Sequence, residues 1–363
     1  MCLLYTRSGS APHLIHEVLQ DIPERPLAAL MTLPTLYELP GAVTMERYKN
    51  GAHSFFSLKD HLLYLSIQDP SAPSSSSYNE SGTTSVWTHS GRHKVSVKDY
   101  ASFVESLCPN VYESLCDSAS SINNMQKRVR KSVDRTLSFL DEMLKLRNSS
   151  KTLQECSLLG AIVGGDDVLE RIRSTEETVK RPVDGFVIEG FDMEYSAGSS
   201  QAVLSQVNSL LPAGKPRFIH GMGSPADVFR AVENGVDVFD GAYPYMVTQR
   251  DSALVFHLCW ALECKTVQHS MEINLGDERF AEDFTPLVEG CLCYACRHHT
   301  KAYVHHLVKT KELLASVLLM CHNLAHYFMF FKVLRSAIRT GVYEDWKIAM
   351  EYICTSSVCG NFS

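Results

Sequence analysis

Three cysteines of this 363-residue chain stand close enough together to bind one metal ion. They form the pattern Cys291-x-Cys293-x₂-Cys296, and thiolates at such spacing are typical zinc ligands. Tetrahedral zinc needs one more ligand, and the candidates are His298, His299, His305, His306, Cys321 and His322. His322 is favoured because it lies in a long apolar segment, where an imidazole without a partner would be costly to bury. Four protein ligands leave no open position, so the predicted zinc is structural; the alternative is three buried thiols and a core histidine.

Carboxylates and glycines follow a series of short apolar runs in the middle of the chain. The runs at 158–163, 185–188, 217–219 and 236–239 are followed by Gly164-Gly165, Glu189-Gly190, His220-Gly221-Met222-Gly223 and Asp240. In α/β folds, functional groups gather at the carboxyl ends of the strands. Asp240 could be a nucleophile there, but covalent catalysis also needs an acid/base and a positioned substrate. An isolated carboxylate at a strand end is more often a cap or a salt-bridge partner.

The elements that must position these groups are repeated strand–helix units. The apolar runs alternate with segments of helical character, for example 168–180, 201–211 and the segment after Ser224-Pro225, which predicts parallel strands covered by helices. A doubly wound sheet or a (β/α)₈ barrel would fit, and the chain is long enough for the roughly 250 residues of a barrel. Upstream we predict a strand at 62–67, a Pro/Ser-rich surface loop at 69–77, a strand–turn–strand at 86–97 and a helix at 132–146.

Composition restricts the class of protein. Lys+Arg 34 against Asp+Glu 41 gives a net charge of -7, so any RNA contact needs a local basic patch or a partner subunit. The amino-terminal residues do not resemble a secretory signal, and the 12 cysteines are therefore expected to be reduced. The apolar segment 313–331 carries His322, Asn323 and His326, which favours a buried helix over a membrane span.

Four motifs in the same order resemble the tRNA-guanine transglycosylase family. The cysteine motif followed by His322-Asn323-Leu324 is similar to its zinc motif, and the segment 215–225 (KPRFIHGMGSP) is similar to KPRYLMGVGxP. The segments 235–240 (GVDVFD) and 160–165 (GAIVGG) resemble GVDMFD and GIVQGG. The resemblance runs from about residue 86 to 338. It implies a (β/α)₈ TIM-like barrel with a C-terminal zinc-binding subdomain, whose zinc ligands are Cys291, Cys293, Cys296 and His322.

The resemblance also implies a domain division and a reaction. Residues 1–85 would hold the N-terminal region and first barrel strands with the Ser-rich loop. The barrel would continue over 86–257, the zinc subdomain and dimerisation helices would span 258–345, and 346–363 would be a variable tail. The family exchanges guanine in a tRNA anticodon for a modified base such as queuine through a covalent ribosyl–aspartate intermediate, and Asp240 matches the nucleophile.

Several positions depart from the pattern of the catalytic members. The DSGGFQ segment, which carries the acid/base aspartate, is replaced by Ser66-Ile67-Gln68-Asp69-Pro70. Val163 replaces the base-reading glutamine, and Glu189 places a carboxylate where a backbone amide should meet the base. Asp117 falls near the other base-reading aspartate, and Pro244-Tyr245-Met246 replaces a PTR sequence whose arginine meets RNA.

These departures resemble a non-catalytic branch of the family that pairs with a catalytic subunit to modify the wobble position of tRNA. On this interpretation the chain has no catalytic residue of its own and forms a heterodimer through Tyr294, His305, His306 and Tyr327 or their neighbours. Lys127, Arg128, Arg130 and Lys131 would meet tRNA phosphates. The resemblance implies a cytoplasmic protein with peripheral attachment to the mitochondrial outer membrane. The alternatives are an active base-exchange enzyme that uses Asp240 and a zinc-stabilised scaffold without a tRNA role.

Overall fold

Eight parallel strands form one curled sheet. The computed structural model describes residues 1–72, 79–80, 82–118, 126–191, 197–256, 258, 270–348 and 350. Within these residues the strands are β1 (Leu4–Tyr5), β2 (Ala28–Thr32), β3 (Leu62–Ser66), β4 (Thr83–Thr88), β5 (Gly91–Ser96), β6 (Val111–Glu113), β7 (Ser157–Ile162), β8 (Gly185–Ile188), β9 (Arg217–Ile219), β10 (Val238–Phe239), β11 (Ser252–Leu254) and β12 (Glu272–Asn274).

The helices in the same residues are α1 (His16–Gln20), α2 (Leu33–Leu36), α3 (Gly41–Tyr48), α4 (Gly51–Phe55), α5 (Val97–Leu107), α6 (Gln126–Ser149), α7 (Lys151–Glu155), α8 (Val168–Val179), α9 (Ala197–Leu210), α10 (Pro225–Glu233), α11 (Tyr243–Thr248), α12 (Tyr294–His298), α13 (Lys301–Lys309) and α14 (Leu313–Thr340), with one 3₁₀ turn at Glu278–Phe280.

The sheet closes on itself. Its order is β1-β2-β3-β6-β7-β8-β9-β10, and all neighbouring strands in it are parallel. A parallel bridge between Cys2 and Phe239 joins the first edge to the last. The Leu3 amide donates to the Phe239 carbonyl at 2.9 Å, and the Phe239 amide donates to the Met1 carbonyl at 2.9 Å. The α/β class is therefore confirmed, and of the two architectures left open by the strand–helix pattern the sheet fits the TIM-like barrel that the family resemblance implies.

The strands predicted at 62–67, 158–163, 185–188, 217–219 and 236–239 are all present, with ends that differ by up to two residues. They are buried on both faces, which explains their nearly continuous apolar sequence. The hairpin β4–β5 and the helix predicted at 132–146, which spans Gln126–Ser149, are also confirmed. Most of the Pro/Ser-rich run lies outside the described residues. The domain boundaries at 85/86, 257/258 and 345/346 stay predictions.

The long apolar helix α14 is a core element. By length and composition it could cross a membrane, but 72% of its most apolar window is buried inside the protein. Its polar residues bond to the backbone of β11 and the residues just after it. Asn323 Oδ1 accepts from the Leu254 amide at 2.8 Å, and His326 Nε2 lies 2.9 Å from the Phe256 carbonyl. The prediction of a buried helix is confirmed.

Candidate functional site

The three cysteines and His322 lie together between α12 and α14. His322 Nδ1 is 3.8 Å from Cys291 Sγ, 3.5 Å from Cys293 Sγ and 3.3 Å from Cys296 Sγ. All four ligand atoms lie within 4.8 Å of one another. Zinc bonded tetrahedrally to sulfur and nitrogen at typical lengths separates those two atoms by about 3.6 Å. The cluster therefore has the size of a single tetrahedral site.

The surroundings of His322 fix which ring nitrogen faces the thiols. Nε2 is 2.8 Å from the Leu254 carbonyl, so it must carry the proton and donate it. Nδ1 then keeps its lone pair toward the three sulfurs, which is the arrangement of a metal-binding histidine held by an outer hydrogen bond. Cys293 also caps the short helix α12, since its sulfur accepts from the Cys296 amide at 3.4 Å. Helix α12 thus brings Cys296 next to Cys293.

The other candidate ligands take different positions. His298 and His306 are exposed, and His299 stacks on Tyr303 with ring centroids 5.0 Å apart. His305 Nδ1 lies 2.8 Å from the Leu275 carbonyl, and Cys321 is buried beside the group without joining it. Of the six candidates weighed on sequence, only His322 faces all three thiols.

Asp240 lies at the end of β10 and is buried. Its Oδ2 accepts from the Gly221 amide at 2.8 Å, and its Oδ1 accepts from the Ala242 amide at 2.7 Å. Burial raises the pKa of Asp240, although the nearby His220 and the two amides act in the opposite direction. The cavity beside the carboxylate measures about 30 Å³, which is the space that one water molecule takes up. The carboxylate is therefore enclosed and already hydrogen-bonded through both oxygens.

A second buried group, which the sequence does not reveal as a cluster, lies across the carboxyl end of the barrel. It consists of Glu113 at the end of β6, Glu189 after β8 and His220 after β9, joined by Tyr64 of β3. His220 Nε2 is 3.4 Å from Glu113 Oε1, and His220 Nδ1 is 3.3 Å from Glu189 Oε1. Tyr64 donates to Glu113 Oε1 and lies 3.1 Å from His220 Nε2. Glu189 and His220 follow predicted strands, but Glu113 ends a three-residue strand too short to show a periodicity.

The burial of this group perturbs its ionisation. Desolvation raises the pKa of Glu113 to about 8, with Glu189 acting in the same direction. Burial alone would lower the pKa of His220, but the carboxylates of Glu113 and Glu189 outweigh it and raise the pKa to about 9.

Asp117 and Asp69 are both held by other side chains. Arg128 donates to the two Asp117 oxygens at 2.7 Å each, and Arg135 donates to Oδ2 at 2.9 Å. Asp69 Oδ1 accepts from Tyr5 at 2.7 Å and from Ser71 at 2.8 Å. Arg128 therefore faces inward, while Lys127, Arg130 and Lys131 of the basic cluster are exposed.

Of the four residues predicted to form the subunit interface, two are exposed and two are buried. Tyr294 is 56% exposed and His306 is exposed, so both can meet another chain. Tyr327 is fully buried and donates to the Gly223 carbonyl at 2.7 Å, and His305 is buried against Leu275. Tyr327 and His305 are therefore packing residues, because their spacing on helices α14 and α13 turns them toward the core.

The comparison with known proteins agrees with these features. A family model described as Queuine tRNA-ribosyltransferase matches residues 1–353. A protein of Xenopus tropicalis named queuine tRNA-ribosyltransferase accessory subunit 2 is 43% identical over 370 residues, covering 94% of this chain and 89% of its own length. Proteins of the same name from Homo sapiens and Danio rerio are 40% and 39% identical, covering 93% and 95% of this chain and 89% and 90% of their own lengths. The chain belongs to the queuine tRNA-ribosyltransferase family.

Proposed function

We propose that this chain is the non-catalytic subunit of a heterodimeric queuine tRNA-ribosyltransferase. In this role it binds a catalytic subunit and supports the exchange of guanine for queuine at the anticodon wobble position of tRNA. The name of the similar proteins, accessory subunit 2, supports this assignment. The departures from the family motifs at Val163, Glu189 and the segment 66–70 support it as well.

The enclosure of Asp240 is the observation that carries the proposal. A nucleophilic carboxylate must reach a ribose carbon, but both Asp240 oxygens accept hydrogen bonds from backbone amides, and the cavity that Asp240 lines among the described residues measures about 30 Å³. The carboxylates that could serve as acid/base, Asp69 and Asp117, are occupied by Tyr5, Ser71, Arg128 and Arg135. Among the described residues, no carboxylate free of such partners lies beside Asp240 to act as its acid/base, which supports a non-catalytic role.

Base exchange with purified proteins tests the proposal. We expect no incorporation of radiolabelled guanine into tRNA by this chain alone, little by the catalytic subunit alone, and full exchange by the mixture. The Asp240→Asn variant cannot accept from both the Gly221 and the Ala242 amides, so its folding is checked first by circular dichroism, and the folded variant should support exchange in the mixture as the wild type does. Exchange by the isolated chain would instead establish an enzyme that uses Asp240. A mixture with neither a complex nor a gain in activity would leave a scaffold without a tRNA role.

We infer further that Cys291, Cys293, Cys296 and His322 bind one structural Zn²⁺. The sulfur–nitrogen separations of 3.3 to 3.8 Å and the fixed tautomer of His322 support this inference. When bound, the ion supplies no reactive position, because the protein fills all four.

Metal analysis tests the inference. We expect one zinc per chain, which is lost in Cys293→Ser and retained in Cys108→Ser, a change of an exposed cysteine outside the cluster. Cobalt substitution gives a second measurement on the folded wild-type protein, since thiolate-to-cobalt absorption reports the sulfur ligands directly. A zinc-free wild type, or a cobalt spectrum without thiolate bands, would refute the assignment.

Two surfaces are the places where the partners would bind. Tyr294 and His306 lie on the exposed side of the cysteine-rich region, which suits contact with the catalytic subunit. Lys127, Arg130 and Lys131 are exposed at the start of α6 and can meet phosphates. Cytoplasmic location with peripheral attachment to the mitochondrial outer membrane stays a prediction, which cell fractionation tests.

A further inference from the structure

The cluster at the carboxyl end of the barrel orients His220 in a defined way. Tyr64 donates its hydroxyl proton to Glu113 Oε1, so its oxygen is free to accept from His220 Nε2 at 3.1 Å. Glu113 is held in turn by the Ile67 amide, which donates to its Oε2 at 2.9 Å. This chain of hydrogen bonds places the imidazole proton on Nε2. Nδ1 therefore points away from Tyr64 and toward Glu189.

Nδ1 of His220 and Oε1 of Glu189 face each other without a hydrogen bond. They are 3.3 Å apart, both atoms are buried, and neither has a hydrogen-bond partner among the described residues. Glu189 is 2% exposed and His220 7%. With the proton on Nε2 alone, an Nδ1 lone pair facing a carboxylate oxygen in a buried site is repulsive unless a proton or a metal ion lies between the two atoms.

The separation of the two atoms fits a shared metal ion better than a short charge-assisted hydrogen bond. A charge-assisted hydrogen bond between imidazolium and carboxylate is typically about 2.7–2.9 Å long. Two ligand atoms bonded to one metal ion at about 2.0–2.2 Å are 3.3 Å apart when the angle at the metal is about 105°, close to the tetrahedral value. The observed 3.3 Å is the distance expected for two ligands of one ion.

The local charge also favours a cation. Carboxyl groups lie on both sides of the His220 ring, with Glu113 Oε1 3.4 Å from Nε2 and Glu189 Oε1 3.3 Å from Nδ1. One ligand atom each from Glu113, Glu189 and His220 lies within 4.8 Å of the others, so Glu113 is close enough to take part in the electrostatics of the site. The set of one imidazole with carboxylates suits Zn²⁺, Fe²⁺ or Mn²⁺.

We propose that Glu189 and His220 bind a divalent transition-metal ion at the carboxyl end of the barrel. Glu113 and Tyr64 are positioning residues, which hold the His220 ring in the tautomer that offers Nδ1. Two protein ligands leave positions for water, so this site is open, unlike the closed group of three cysteines and His322. It is separate from that group in sequence and in the fold, and it does not depend on the proposed function.

Manganese is the probe that separates the two sites, because Mn²⁺ prefers oxygen and nitrogen donors to thiolates. The full chain, with zinc left at the cysteines, is titrated with Mn²⁺ and the free ion is measured by electron paramagnetic resonance. We expect one Mn²⁺ per chain and, in spin-echo modulation, the signature of one directly bonded imidazole nitrogen. Loss of a ligand should weaken Mn²⁺ binding at least about tenfold.

The variants are Glu189→Gln, which removes a ligand charge at constant shape, and His220→Gln, which removes the ring. The matched control is Glu278→Gln, an exposed carboxylate paired with Lys309. We expect weak binding in the first two and wild-type binding in the control. Wild-type protein that takes up no Mn²⁺, binds it without the imidazole signature, or binds it as tightly after Glu189→Gln would overturn the proposal. The wild-type titration decides alone if a variant fails to fold.

Discussion

Asp117 shows how a carboxylate that sequence motifs associate with substrate can serve the fold instead. It is fully buried, and Arg128 and Arg135 neutralise it. Burial would raise its pKa, but the hydrogen bonds from Arg128, Arg135 and Asn79 outweigh burial and hold the pKa below its usual range. Asp117 therefore ties the segment after β6 to α6, and its ionised form stabilises the folded state.

The low pKa of Asp117 gives a pH-dependent prediction. A depressed folded pKa contributes stability that is present above the unfolded pKa, about 3.9, and is lost as pH falls through the folded value. Asp117→Asn should therefore lower the free energy of unfolding by about 3 kcal/mol at pH 7, with a difference from wild type that shrinks below about pH 4. Urea titrations at several pH values measure this. Glu177→Gln, an exposed pair with Lys180, should change stability by less than about 1 kcal/mol. A difference that does not vary with pH would show that the ion pairs are unimportant.

At the scale of single residues, the sequence reveals sites whose members are close in the chain. Cys291, Cys293 and Cys296 lie within six residues, so their spacing alone predicts a common ligand. Glu113 and His220 are more than a hundred residues apart, and they meet only because β6 and β9 belong to the same curled sheet. No local pattern contains that information. The inward orientation of Arg128 cannot be predicted from the sequence for the same reason, since its partner Asp117 lies outside α6, in the segment after β6.

At the scale of elements, hydrogen bonds to β11 explain why the apolar helix α14 contains polar residues. Asn323 accepts from the Leu254 amide at 2.8 Å and donates to the Ser252 carbonyl at 2.9 Å and to Thr248 Oγ1 at 3.0 Å. These bonds satisfy one edge of β11, whose other edge pairs with β12. The polar residues of an otherwise apolar helix thus complete a strand edge that would be costly to bury unpaired.

The bonds of Asn323 give a prediction about stability. Asn323→Leu keeps the approximate volume but leaves the Leu254 amide and the Ser252 carbonyl without partners, at about 1–3 kcal/mol each. We expect a loss of about 3 kcal/mol in the free energy of unfolding, measured by urea denaturation. Ile338→Ala on the same helix, at a position that is 51% exposed, is the control and should change little. Equal effects of the two changes would mean that Asn323 does not anchor β11.

The repeated strand–helix units could be predicted from the sequence, whereas strands that follow no repeated pattern were harder to predict. The units between 157 and 239 each contain a short apolar run and a helix, so one pattern identifies them all. Strand β1 has only two residues, and a run of that length carries no periodicity. β1 is specified by its neighbours, because its backbone pairs with β2 on one side and its preceding residues with β10 on the other.

At the scale of the whole molecule, the contact that closes the barrel also positions Asp240. Gly241 follows Asp240 with φ +71°, and a Cβ there would lie 2.0 Å from the Leu3 carbonyl oxygen. That carbonyl belongs to the segment that joins β1 to β10. The glycine therefore allows two strand ends that are distant in sequence to approach closely, and Asp240 is held against the Gly221 amide as a result.

Gly241→Ala should consequently weaken the join between β1 and β10, which is the seam of the barrel. Left-handed strain and forced displacement of the Leu3 carbonyl each cost about 1–3 kcal/mol, so we expect a loss of about 3 kcal/mol or more in the free energy of unfolding. Amide hydrogen exchange should rise at Leu3 and Phe239, whose amides donate across the seam. Gly214→Ala is the matched control, since no atom lies within 4 Å of the added methyl and its backbone is not left-handed, and it should alter stability by less than about 1 kcal/mol. If Gly241→Ala were as stable as Gly214→Ala, or if exchange rose elsewhere than at the seam, the join between β1 and β10 would not be what holds the barrel closed.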